Sequence, residues 1–144
     1  MKLAAPLALA DDQPCPCGRT QGQGPRAAVR SFGACCGPLI LQGQAAEDAQ
    51  ALMRSRYTAF VLQHSDYLLR SWHASQRPAS LELEHGVKWL GLEVRAHRVL
   101  DAGHEEVEFV ARQKPASGAA VRLHERSRFV KEGAHWFYVD GDLL

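Results

Sequence analysis

The stretch AAVRLHERSRFVK at residues 119–131 carries the decision about the fold. Val121, Leu123, Glu125, Ser127 and Phe129 fall on one side of an extended chain, and Arg122, His124, Arg126 and Arg128 on the other. Strand side chains point to opposite faces with a period of two, so this is a strand with one face toward a core. The first set is the core-facing one, which puts Glu125 and Ser127 among apolar neighbours. The basic set is solvated and can pair with Glu106 and Glu108, which alternate with Val107, Phe109 and Ala111 on the preceding run. The Arg-rich row therefore reads as a salt-bridged outer face rather than a nucleic-acid patch.

Outward from this strand the same period recurs over residues 88–100, 105–114 and 135–140. Short connections separate the runs: Ala102-Gly103, Pro115 to Gly118, and Glu132-Gly133. Alternating runs joined by short Gly-bearing turns predict an antiparallel meander. On the last run Trp136, Tyr138 and Asp140 alternate, which reads first as core packing followed by a terminal turn at Asp140-Gly141, and second as the lining of a pocket mouth. Upstream the period changes to that of a helix. From Ala45 to about Gln63, Ala49, Met53 and Phe60 share one face, with Leu52 and Tyr57 at its edges. Arg56 falls inside that apolar stripe and Arg54 well outside it. A second helix is predicted from Ser65-Asp66 through Trp72-His73, stopped by Arg77-Pro78. Residues 80–87 (SLELEHGV) are compatible with either state. Two helices followed by a meander give an α+β class.

Two inward-facing charges, Arg56 and Glu125, are expected to meet beneath the sheet, because a buried charge is tolerated chiefly when paired and hydrogen-bonded. Ser127, Tyr57, Trp72 and His73 are expected nearby. The pair reads first as a structural tie between helix and sheet, and second as part of a small-molecule pocket.

The 144 residues suffice for one domain with a core. They carry 17 Lys+Arg against 16 Asp+Glu, so net charge gives no pull toward nucleic acid or acidic membranes. No apolar run approaches the length of a spanning helix. Residues 1–13 contain LAAPLALA, too short and too interrupted by Pro6 for a signal peptide, and read as a flexible leader on a cytoplasmic protein.

All four cysteines fall within 22 residues: Cys15, Cys17, Cys35 and Cys36. Two Cys corners flanked by Gly18, Gly33 and Gly37 suit a tetrahedral thiolate site, for which Zn2+ is the default metal. A redox pair and unrelated free thiols are the competing readings. Neither Cys-x-Cys nor Cys-Cys is the spacing of a dithiol oxidoreductase. A closed four-sulfur site leaves no open position, so its role is structural or docking rather than catalytic.

CPCG (15–18) and SFGACCGP (31–38) resemble the SEC-C zinc motif, which also occurs on the C-terminal tail of the bacterial preprotein translocase motor. LMRSRYTAFV (52–61), YLLRSWHAS (67–75), WLGLEV (89–94), VEFVAR (107–112), LHERSRF (123–129) and WFYVDG (136–141) resemble the bacterial YchJ-like family. The resemblance runs from about residue 14 to residue 141. It departs from the family in the loop between the Cys corners, where 17 residues (18–34) replace a short Gly-Ser-Gly-Lys-type sequence. It implies a zinc-binding segment over 14–44 and a cone-like nuclear transport factor 2-like domain over 45–144. A reaction is not implied. In the translocase tail a similar motif contacts a chaperone and other partners, so a protein-binding or adaptor role is the first expectation.

The rival expectation is an isomerase- or hydrolase-type enzyme, with Glu125 as base and Tyr57 or His73 as hydrogen-bond donor. Nucleic-acid binding through Arg19, Arg26 and Arg30 is the weakest reading. Residues 1–44 hold only four basic residues (Lys2, Arg19, Arg26, Arg30) against Asp11 and Asp12. The seven histidines show no metal-ligand spacing, and no nucleophile elbow or phosphate loop is present.

Overall fold

A computed structural model describes residues 6–144. A 3-10 turn at Phe32–Ala34 leads into α1 (Gly37–Gln42), then α2 (Ala49–Leu62) and α3 (Ser65–Arg70). Four strands follow: β1 (Lys88–Asp101), β2 (His104–Lys114), β3 (Val121–Glu132) and β4 (His135–Leu143). The strands form one antiparallel sheet in the order β1-β2-β3-β4, the meander expected from the alternation. Residues 80–87 are neither helix nor strand. No helix among the described residues is long and apolar enough to cross a membrane.

Helix boundaries follow local chemistry. Pro38 stands at the start of α1, where its missing N–H costs nothing, and Gly43 closes α1 in the left-handed region at φ 68°. Leu39, Ile40 and Leu41 lie on this short helix, with Leu39 and Ile40 buried. The long helix starts at Ala49 rather than Ala45, because the Asp48 carboxylate accepts the Ala51 N–H at 2.8 Å and caps it.

β1 carries register shifts at Trp89/Gly91, Val94/Ala96 and Val99/Asp101, and Gly91 has φ 143°. Each bulge bends and twists the strand, which curves the sheet around α2. A shift at Arg128/Phe129 has a further consequence on β4. It sets Tyr138 beside Phe129, Asp140 beside Arg128 and Gly141 beside Ser127. Asp140 therefore leaves the face of Trp136 and Tyr138, and β4 continues to Leu143 instead of turning at Asp140-Gly141. A single added residue flips every later side chain, and simple alternation misses it.

The outer face follows the expected charge pattern with one change of partner. Glu108 pairs with His124 at 2.8 Å and with Arg126 at 3.7 Å. Arg128, opposite Glu106 in register, bonds instead to Asp140 at 2.6 Å and Asp142 at 2.7 Å on β4.

α2 is buried on two sides. One side, with Met53, Arg56 and Tyr57, faces the sheet; Thr58 meets the N-terminal segment, its hydroxyl 3.7 Å from Cys15 Sγ. The apolar core is continuous from Cys15, Cys17, Phe32 and Cys36 through α2 to Phe129 and Trp136. Arg54, outside the stripe as expected, donates to the Cys17 carbonyl at 3.0 Å, and Arg70 donates to the Ile40 carbonyl at 2.6 Å. Of the expected leader, residues 1–5 lie outside the described residues. The rest is tied down: Leu7 N–H bonds to Leu62 O, and the carbonyls of Asp11 and Gln13 accept from Gly33 and Phe32.

Candidate functional site: a four-cysteine cluster and a hollow cone

The two Cys corners are brought together by a small hairpin. Cys15 N–H bonds to Arg30 O and Arg30 N–H to Arg19 O, closing the 18–34 loop on itself with its tip at residues 21–28. Gly18, at φ 74°, makes the first corner. At the second corner a Cβ on Gly37 would lie 2.8 Å from the Phe32 carbonyl, so only glycine fits.

All four sulfurs lie within 4.8 Å of one another, with Cys17–Cys35 at 3.6 Å and Cys35–Cys36 at 4.0 Å. The cysteines are free thiols. A tetrahedral site with metal–sulfur bonds of about 2.3 Å has sulfur–sulfur edges of roughly 3.8 Å, so the cluster has the dimensions of a four-coordinate metal site. The thiols also compete for ionisation. Hydrogen bonds from Cys17, Cys35 and Cys36 drive the Cys15 thiol far down. Cys17 settles at about 7, the opposing bond with Cys15 outweighed by those from Cys35 and Cys36. Cys35 and Cys36 are pushed up, first by Cys15 and then by Cys17. Close thiolates cannot all be charged on their own, whereas a divalent cation lets all four ionise. Cys15, Cys17 and Cys36 are buried and Cys35 is half-buried, so the centre is closed.

The second feature is a cavity of about 420 Å³ between α2 and the concave face of the sheet. Its wall is mainly apolar and aromatic, with Phe60, Trp89, Phe109 and Phe129 among its members. The segment 81–84 borders it, with Glu82 and Glu84 exposed. Of the residues singled out from sequence, Arg56, Tyr57, Trp72, Glu125 and Ser127 all line this space. His73 does not. It lies on the outer side, with Nδ1 on Ser75 at 2.7 Å and Nε2 on Glu132 at 3.0 Å, because the chain leaves α3 at Ser71 and turns His73 toward Phe137.

The expected Arg56–Glu125 ion pair is replaced by a relay through Tyr138. Arg56, 7% exposed, donates through Nη1 to Leu68 O at 2.7 Å and Ser71 Oγ at 2.6 Å. Its guanidinium stacks over Tyr138 at 4.7 Å and Trp72 at 5.4 Å. Glu125 Oε2 accepts from Ser127 Oγ and, at 3.4 Å, from the Tyr138 hydroxyl. Aromatic faces and backbone carbonyls therefore do for the arginine what a carboxylate was expected to do. Burial pulls the Arg56 guanidinium down to about 10, so it stays charged at neutral pH. Burial, then the nearby Glu125 charge, raises the Tyr138 hydroxyl to about 12. A Cβ on Gly141 would lie 2.5 Å from Glu125 Oε2, so the carboxylate rests directly on the β4 backbone.

The chain matches the family described as "YchJ, middle NTF2-like domain" over residues 48–141. It belongs to the YchJ-like family. A UPF0225 protein of Polaromonas naphthalenivorans is 63% identical over 132 residues, covering 90% of this chain and 96% of the relative. A UPF0225 protein of Bordetella pertussis is 52% identical over 135 residues, covering 90% and 92%. Among solved structures, a SEC-C motif containing protein from Psychrobacter arcticus superposes with a TM-score of 0.73 at 31% identity, over 90% of this chain and 82% of that one. One from Rhodopseudomonas palustris gives 0.70 at 29% identity, over 81% and 94%. The resemblance carried by CPCG, SFGACCGP and the downstream motifs thus holds for both family and fold.

Sequence reasoning missed one member of the YchJ-like interior and the role of another. Tyr138, expected in the core or at a pocket mouth, lines the cavity and stands between the two charges. Glu105, 8% exposed, accepts the Ala49 N–H at 3.0 Å and bonds to His97 Nε2 at 2.7 Å. The signal for Glu105 was its parity with Val107 and Phe109, one step before the first apolar residue of β2.

Proposed function

We propose that this protein binds a small molecule inside the cone-like domain, and that its cysteines hold one Zn2+ as a structural staple behind α2. The hollow cone is the observation that carries the reading. A cone serving only as a scaffold would be filled with side chains, whereas this one keeps about 420 Å³ open beside Arg56, Glu125 and Tyr138. Such a space is within the range of ligand cavities, and an apolar wall with few polar groups is their usual make-up. An enzymatic reading is less favoured, since of the two donors expected beside Glu125 His73 faces away, which leaves Tyr57 alone on the cavity wall.

Zinc is the metal of choice because four thiolates in a closed tetrahedron suit a redox-inert cation with no geometric preference. The free thiols fit the reducing cytoplasm. The staple stabilises α2 through Thr58 and Arg54, and so holds one wall of the cone. Protein binding through the exposed loop tip at 21–28 is the second reading, favoured by the projection of that hairpin from the core.

Two measurements test this. Elemental analysis of the purified protein is expected to give one zinc per chain, with thermal stability falling on chelation; no bound metal and four titratable thiols in the folded protein would refute the staple. Titration with toluene, followed by amide shifts in NMR spectra, is expected to move residues of α2 and β3 that line the cone. No shift at saturating toluene would refute an accessible cavity.

A further inference from the structure

Arg56 and Glu125 face the same cavity as opposite charges that are not paired with each other. The guanidinium has five N–H donors in a fixed fork. Only Nη1 is engaged; among the described residues no hydrogen bond reaches Nε or Nη2. On the other side Glu125 Oε2 is taken by Ser127 and Tyr138, and nothing among the described residues bonds to Oε1. The Tyr138 side chain holds the two apart, with its ring under the guanidinium and its hydroxyl toward the carboxylate. The close approach of Gly141 fixes the carboxylate from behind.

Arg56 is buried and Glu125 half-buried, and neither is given the other as a direct partner, so each keeps polar atoms open to a ligand in the cavity. A ligand that inserts between them satisfies both. An anion alone would meet Arg56 while lying close to Glu125, with Glu82 and Glu84 at the border adding to the repulsion. A cation alone would leave the guanidinium unpaired. A molecule with an anionic and a cationic group on neighbouring atoms matches the arrangement. Two charge-assisted hydrogen bonds of about 2.8 Å, plus the span of groups sharing one carbon, reach roughly 8 Å, of the order of one tyrosine side chain.

We infer that the cavity takes a zwitterion with an apolar body, of the amino-acid kind, its carboxylate on Arg56 and its ammonium on Glu125. The inference rests on the small-molecule reading above and names the class of ligand for that cavity. The apolar body lies against Phe60, Trp89 and Phe109, where aromatic or branched side chains bury the most surface.

The test compares four probes of one shape class by calorimetry: L-phenylalanine, 3-phenylpropionate, 2-phenylethylamine and toluene. L-phenylalanine is expected to bind at least about tenfold more tightly than the acid or the amine, each of which leaves one of the two charges unmet. Arg56→Met is expected to abolish the advantage of phenylalanine over the amine, and Glu125→Gln its advantage over the acid. Should Arg56→Met fail to fold, Arg56→Lys keeps the charge and loses the fork, and is expected to weaken phenylalanine by a similar factor. If toluene binds and phenylalanine binds no better than the acid or the amine, the zwitterion assignment is overturned while the cavity stands. If none of the four binds, toluene included, the small-molecule reading fails with it.

Discussion

Replacing Glu105 removes a tie between sheet and helix whose cost can be worked from its contacts. The carboxylate is 8% exposed and takes the N–H of Ala49, the first residue of α2, which is itself fully buried. In Glu105→Ala that N–H has neither water nor a protein acceptor. An unmet buried donor costs about 1–3 kcal/mol. Losing a negative charge at the helix N-terminus adds about 0.3–1 kcal/mol. His97 also loses a partner, but its side chain is 21% exposed and can turn to water at little cost. The expected loss is therefore about 1.3–4 kcal/mol. For a chain of this size each kcal/mol corresponds to roughly 3–4 °C, so Tm falls by about 4–16 °C. Glu105→Gln keeps an acceptor oxygen in the same place and gives up only the charge, so it is expected to cost about 1 kcal/mol. Urea and thermal unfolding of the two variants measure this directly, and hydrogen exchange at the Ala49 amide reports the bond itself. A loss below about 1 kcal/mol for Glu105→Ala, or equal losses for the two variants, would refute the reasoning.

Further outcomes follow from the same contacts. Gly141→Ala places a Cβ against the Glu125 carboxylate, which moves more easily than the backbone, so Tm is expected to change by only a few degrees while any ligand held through Glu125 binds at least about tenfold more weakly; unchanged affinity for L-phenylalanine would count against the role of Glu125. Stability is expected to fall with acidification in two stages. His64 is depressed below its ordinary 6.5, by burial and then by Arg70, so its imidazole opposes protonation in the fold and stability declines as pH drops below 6.5. Asp101, Glu108 and Asp142 are held low by hydrogen bonds from His104, His124 and Arg128 respectively. Their contribution is complete above the ordinary carboxylate values of 3.8 to 4.5 and lost as pH falls below them. Side-chain NMR titration with His64 turning over at or above 6.5 would contradict the first stage, and stability unchanged from pH 5 to pH 2 the second.

Much of this protein is written locally. The alternation in residues 119–131 puts Ser127 and Phe129 inside and Arg126 and Arg128 outside, because a pleated strand has no other way to sort its side chains. The stripe Ala49, Met53 and Phe60 buries Arg56 by helical spacing alone. The Cys corners are legible because few arrangements of four thiols within 22 residues escape meeting. What the sequence did not determine depends on positions set by other elements. One shift between β3 and β4 moves Asp140 to the outer face and brings Gly141 under Glu125. Arg56 and Glu125 both turn inward, as their parity requires. Whether they touch depends on how far the bulged β1 opens the sheet around α2, and on Tyr138 standing between them. Parity sets the direction of a side chain within its own element. The distance across a cavity is a property of curvature and packing, so only the tertiary structure could keep the two charges apart and the cone open.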